Sequence, residues 1–132
     1  MTHTEISVTS SPVPSGAYSQ AIVANGVLFA AGVGPYDPVT RAVVGATVEE
    51  QTAQVMENIR EILRGAGLDL ENVVSSTVYL ADLQRDWPAF DKTYGNFFSK
   101  PFPARTAVGA TLKGILVEIA VIAAIGSDGE PR

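Results

Sequence analysis

The spacing of apolar and polar positions changes period several times along the 132 residues. Gln20 to Gly32, QAIVANGVLFAAG, is apolar on both sides of Asn25-Gly26. Both central residues of a type I′ turn need positive φ, so this stretch predicts a β-hairpin. Residues 34–46 hold two prolines and two glycines and read as a loop with a short strand near 39–44. Thr47 then opens a helix, with Glu50 three residues on to complete a capping box. Val48, Val55, Ile59, Ile62, Leu63 and Ala66 fall on one helical stripe, and Gly67 is a good stop. Val73 to Leu80, rich in β-branched residues, predicts a strand. Asp82 or Asp86 caps a second helix with Pro88 near its start and Phe90, Tyr94, Phe97 and Phe98 as its aromatic stripe. Ala104 to Ala110 and Leu116 to Ile125 predict two more strands around a Lys113-Gly114 turn.

These elements predict one α+β domain over residues 1–132, with a mixed sheet of about six strands and two helices on one face. Residues 1–15 read as a polar N-terminal segment, and the end from 127 to 132 as a flexible tail. Two helices cover only one face of such a sheet. The last strand is apolar on both, with Val117, Ile119, Val121, Ala123 and Ile125 on one side and Leu116, Ala120, Ile122 and Ala124 on the other. The economical inference is self-association over the second face; the rival is a central strand under a loop.

Composition narrows the chemistry. Nine Lys and Arg stand against fourteen Asp and Glu, a net charge of −5 that argues against nucleic-acid binding through basic patches. There is no cysteine, which removes thiolate nucleophiles, thiolate zinc sites and iron–sulfur clusters. The single histidine, His3, lies in the polar N-terminal segment, so a Ser-His-Asp triad has no ready base. Lys92, Lys100 and Lys113 fall on a polar helix face, a loop and a turn, poor settings for a Schiff base. No metal site is expected. Neither a signal peptide nor an apolar span long enough for a bilayer is visible, so no membrane partner is expected and a cytoplasmic location follows.

Three residues stand out. Glu118 is the only charge inside the last strand, on the face assigned to association. An unpaired carboxylate there costs several kcal/mol, so Glu118 either pairs with a neighbouring subunit or orients water and passes a proton. Arg105 is the one charge in PARTAVGA. It is either the ion-pair partner of Glu118 or a fork for a substrate carboxylate, and one guanidinium can serve both. Tyr18 is either a plain aromatic anchor or a phenol that closes a pocket.

Taken in order, GAYSQA (16–21), NGVLFAAG (25–32), LRGAGLDLENVV (63–74), TVYLADL (77–83), TYGNFF (93–98), FPART (102–106) and VEIAVIA (117–123) resemble the Rid family of reactive intermediate deaminases, the YjgF-type proteins. The resemblance spans residues 16–125. It implies a chorismate-mutase-like fold and a homotrimer whose sheets form a central barrel, with ligand clefts between subunits. It also implies cofactor-independent hydrolysis of enamines and imines such as 2-aminoacrylate or 2-iminopropionate to the 2-oxo acid and ammonia. Within it Arg105 matches the carboxylate-binding arginine, Glu118 the glutamate that places the hydrolytic water, and Tyr18 the aromatic residue near the substrate. Gly32, Asp91 and Ala107 fall at positions lining the substrate site. This chain departs from the family pattern at Ala17, Ala31, Asp91, Ala107 and Ala120, where proline, serine, asparagine, cysteine and an acidic residue are usual. The alternatives are a specialised relative, acting on the aminoacrylate of pyrimidine breakdown, an aminomuconate or a biosynthetic intermediate, or a non-catalytic ligand-binding or interaction trimer. The ribonuclease role sometimes attached to the family lacks a basic groove here.

Overall fold

The computed structural model describes residues 2–126. Strands β1 (Thr4–Ile6), β2 (Ala21–Ala24) and β3 (Val27–Ala30) come first, followed by helix α1 (Val48–Gly65). A single 3-10 turn (Leu70–Asn72) leads into β4 (Val73–Leu80), then helix α2 (Leu83–Gly95), β5 (Ala104–Gly109) and β6 (Val117–Ala124). The six strands form one sheet in the order β1-β2-β3-β6-β4-β5. Only β4 and β5 run parallel, joined by α2 as a crossover; the other pairs are antiparallel. The expected mixed α+β sheet is therefore present, with both helices on one face.

Local chemistry explains the boundaries. Asn25 and Gly26 take φ of 53° and 73°, which makes the β2–β3 hairpin possible. Thr47 accepts from the Glu50 amide at 3.2 Å while Glu50 accepts from the Thr47 amide, the reciprocal cap read from the sequence. At the other end Gly67, with φ of 76°, donates to the Arg64 carbonyl, and Leu68 donates to that of Leu63. This Schellman closure satisfies two carbonyls the helix would otherwise leave open. The α1 stripe is as expected: Val55, Ile59 and Leu63 are fully buried, with Val48 and Ile62 nearly so.

Four expectations are corrected. The sixth strand is not near 39–44, where Tyr36 and Val43 form one isolated bridge. Asp37 holds that segment as a turn by accepting from the Val39 and Thr40 amides. The sixth strand is β1, inside the segment read as a polar tail. The Gln20 side chain fastens that segment to the sheet, accepting from Val8 N at 2.7 Å and donating to the Val8 and Pro12 carbonyls at 3.0 and 2.9 Å. Helix α2 stops at Gly95, so Phe97 and Phe98 pack from the following turn, where their amides donate to the Tyr94 and Gly95 carbonyls. Its cap is Asp82, which leaves Pro88 beyond the first turn, where it deprives the Gln84 carbonyl of its helical donor. The residues from 127 on, expected to be a flexible tail, lie outside the described residues.

The two sheet faces differ sharply. On the helix side β6 presents Val117, Ile119, Val121 and Ala123, all buried. The other side carries a cross-strand row of Ile22, Phe29 and Ile122. Phe29 is 47 % exposed and Ile122 36 %. A second row runs Glu118, Tyr79, Val108. No helix of the described residues covers this face.

Candidate functional site: two half-sites on one chain

Register and alternation place the singled-out residues. Arg105 lies opposite Ser76, which lies opposite Val121. Ser76 and Val121 are buried and Ser76 Oγ bonds Tyr94 Oη of α2 at 2.6 Å, so this row faces the helices. Glu118 lies opposite Tyr79, one residue out of phase, and belongs to the uncovered face. Arg105 and Glu118 are thus on opposite faces of one sheet. The ion pair between them that the sequence left open does not form within a chain: Arg105 pairs with Asp91, Nη1 to Oδ1 at 2.8 Å. Glu118 makes no salt bridge among the described residues.

The arginine half is built by α2 against β5. The Arg105 guanidinium carbon lies 4.9 Å from the Tyr94 ring centre, 5.0 Å from that of Trp87 and 5.7 Å from that of Phe90. Cation–π attraction and the Asp91 carboxylate together fix the plane of the fork. The helical spacing of Trp87, Phe90, Asp91 and Tyr94 puts these groups on neighbouring turns of one surface. Burial pushes the Tyr94 phenol above the usual tyrosine value, against the opposing effects of its Ser76 hydrogen bond and the Arg105 charge. Ala107, two residues along the same strand face, lines a shallow groove with Leu83, Gln84, Trp87 and Pro88.

The carboxylate half is built by loops at the ends of β2, β3 and β6. Glu118, Gly32 and Tyr18 line a cavity of about 370 Å³ whose rim includes Ser11, Val13 and Arg41. After Ala30 the chain bulges, so that Val33 exchanges backbone hydrogen bonds with Ile119 and Gly32 lies under the Glu118 side chain. A Cβ at Gly32 would collide with Glu118 Oε2, which makes glycine a condition of this placement. The Tyr18 hydroxyl accepts from the Ser15 amide at 3.3 Å, and its ring is half exposed.

Buried amides that the sequence did not flag hold this half in place. Asn58 of α1 donates to the Gly34 and Tyr36 carbonyls at 3.1 and 2.9 Å and accepts from Gln54. Gln51 donates to the Gly45 carbonyl and accepts from Leu116 N at 2.7 Å, just before β6. Both sit on the α1 face the apolar stripe marks as inward, the one signal that finds them. Among the described residues no cluster of three His, Asp or Glu side chains can hold a metal ion, and no helix is long and apolar enough to cross a membrane.

The molecule is an α+β sheet protein in which the singled-out residues fall into two clusters, one around Arg105 and one around Glu118, with no residue in common. The family model Endoribonuclease L-PSP matches residues 8–125. The chain belongs to this family, the Rid or RutC proteins. It is 41 % identical over 123 residues to a goat (Capra hircus) 2-iminobutanoate/2-iminopropanoate deaminase, covering 92 % of this chain and 89 % of the relative. It is 43 % identical over 114 residues to the RutC family protein SSO3206 of Saccharolobus solfataricus, covering 85 % and 90 %. The crystal structure of RidA from the Antarctic bacterium Psychrobacter superposes with a TM-score of 0.88 at 34 % identity, covering 92 % of this chain and 99 % of that one.

Proposed function

We propose that this protein is a cofactor-independent hydrolytic deaminase of 2-imino and 2-enamino acids, working as a homotrimer with its sites between subunits. One observation carries the reading: a cationic fork and a carboxylate on opposite sheet faces of one chain, with an apolar face left uncovered beside the carboxylate. Burying the Ile22, Phe29 and Ile122 row against a neighbour removes apolar surface from water. A closed ring of three copies brings one chain's Arg105 to the next chain's Glu118. Similarity to the goat deaminase supports the substrate class.

In this mechanism Arg105 binds the substrate carboxylate through a charge-assisted fork. Tyr18, Gly32 and Ala107 border the substrate, and Asp91 fixes the arginine. An enamine first takes a proton at C3 to become the imine. Glu118 accepts a hydrogen bond from water and aims its oxygen at C2. Attack forms the C–O bond as the C=N π pair moves to nitrogen, which takes a proton. The resulting 2-amino-2-hydroxy acid loses ammonia as its hydroxyl becomes the new C=O. Water supplies the oxygen, and no redox partner is needed. The imine carbon is already electrophilic, so a chain without cysteine and with one histidine, at its N-terminus, suffices. The same inventory and the charge of −5 are poor means for RNA cleavage.

The test is hydrolysis of 2-iminopropionate, generated by an amino-acid oxidase and trapped with semicarbazide, by wild type and Arg105→Ala. Wild type speeds loss of the imine, and Arg105→Ala loses at least about a hundredfold, since a partly buried charge-assisted fork is removed. A folded wild type that is inactive on several imino acids overturns the reading.

A further inference from the structure

The cavity beside Glu118 has a cation on its wall, Arg41, that the chemistry above does not use. Arg41 follows the Asp37 turn and is one of only two non-glycine residues with positive φ among those described, at 66°. Its amide donates to the Asp37 carbonyl at 2.9 Å, which holds it in that conformation. A long β-carbon-bearing side chain is disfavoured there, and glycine would fit without strain. Strained residues of this kind cluster at ligand sites. Arg41 Nη2 donates to the Val13 carbonyl at 3.0 Å, fastening the guanidinium to the rim that also carries Tyr18. That is one of five donors. Arg41 makes no salt bridge among the described residues. Arg41 and Glu118 line the same cavity, of about 370 Å³ in the single chain.

We infer that Arg41 is a specificity-determining residue that binds a second, distal carboxylate, so that the preferred substrate is a 2-imino dicarboxylate. The substrate's first carboxylate rests on Arg105 of the adjoining copy, and its side-chain carboxylate reaches across the cavity to the free guanidinium donors of Arg41. This inference deepens the deaminase reading and rests on it for turnover, while the binding preference can be tested without turnover.

The experiment compares 2-iminoglutarate with 2-iminopropionate, made from glutamate and alanine by their oxidases with catalase present. Wild type, Arg41→Gly and Arg41→Lys are assayed on both. Glycine suits the turn, so Arg41→Gly removes the cation and leaves the backbone relaxed. Wild type should favour 2-iminoglutarate. Arg41→Gly should lower kcat/KM on it by about tenfold, through KM, the scale of one charge-assisted hydrogen bond. Activity on 2-iminopropionate should stay within about twofold, and Arg41→Lys should keep part of the preference. An equal loss on both substrates, or on neither, overturns the inference, because a purely structural tie to Val13 would not separate them. Calorimetric titration with 2-oxoglutarate and pyruvate runs in parallel. If wild type hydrolyses neither imine, the deaminase reading fails, and the titration decides this one. Binding that favours 2-oxoglutarate and depends on Arg41 upholds it; equal binding, or none, overturns it.

Discussion

The two half-sites are made in different ways. Arg105 is clamped by regular structure: a strand beneath it, three rings of a helix around it and a carboxylate at its edge. Glu118 comes from a strand, but most of the residues lining its cavity come from loops, held from behind by Gln20, Gln51 and Asn58. A group that grips substrate needs a fixed direction, and packing within one chain supplies it. A group that places water needs a closed, dry pocket, and one chain leaves the Glu118 face open. The arginine half is therefore preorganised within one chain, while on the proposed reading a second copy completes the carboxylate half.

The largest effect expected from this contrast is complementation. Arg105→Ala and Glu118→Gln homotrimers should each be nearly inactive. Unfolding and refolding them together at equal amounts should restore activity to about one quarter of wild type, the chance that a cleft between subunits draws both intact halves. No recovery in mixed trimers, verified by a size tag on one variant, would mean that each site lies within one chain. A smaller loss, about tenfold to a hundredfold in kcat, is expected for Gly32→Ala. Its new methyl displaces the mobile end of Glu118 rather than backbone, so thermal stability should stay near wild type while kcat falls. A large drop in Tm with kcat intact would show that Gly32 serves the fold instead.

Much of the arginine half was legible because its residues lie in regular elements. The strand at 73–80 and the α1 cap follow from local propensity, and the two-sided apolar pattern of β6 showed the uncovered face. Arg105 and Glu118 stood out as lone charges in apolar strands. Their location on opposite faces was not legible, because it depends on the register of β4 with both β5 and β6. Strand β1 was missed because three residues with one buried side chain, Ile6, carry almost no periodic signal. The inward stripe of α1 marks Gln51 and Asn58 as buried, but the distant groups that these two and Gln20 meet are encoded by no spacing.

Asp91 gives the third test, with an effect below tenfold. Its carboxylate already occupies one edge of the Arg105 fork and repels an incoming substrate carboxylate. Asp91 is 52 % exposed at its side chain, so water screens the pair and it contributes only about 0.2–1 kcal/mol. Asp91→Asn keeps the shape and removes the charge. KM for 2-iminopropionate should fall by up to about fivefold, most clearly at low salt. A raised KM would mean that the fork needs Asp91 to orient it more than substrate suffers from its charge.

The smallest effect concerns Tyr94, which supports Arg105 from below. Burial raises its folded-state pKa above the unfolded value of about 10. The stabilisation tied to the neutral phenol is therefore complete below pH 10 and is lost as pH rises through the folded pKa, since the unfolded chain ionises first. Tyr94→Phe keeps the ring beneath the guanidinium but leaves Ser76 Oγ without its partner. At pH 7 the variant should be less stable by about 1 kcal/mol. The gap should narrow above pH 10, because the phenylalanine variant has no proton to lose at that position. Denaturant midpoints for both proteins at pH 7 and near pH 11 read the difference directly. A gap that widens with pH would mean that the Arg105 charge outweighs burial and draws the phenolate into the fold, which would make Tyr94 and Arg105 an ion pair in base rather than a stack.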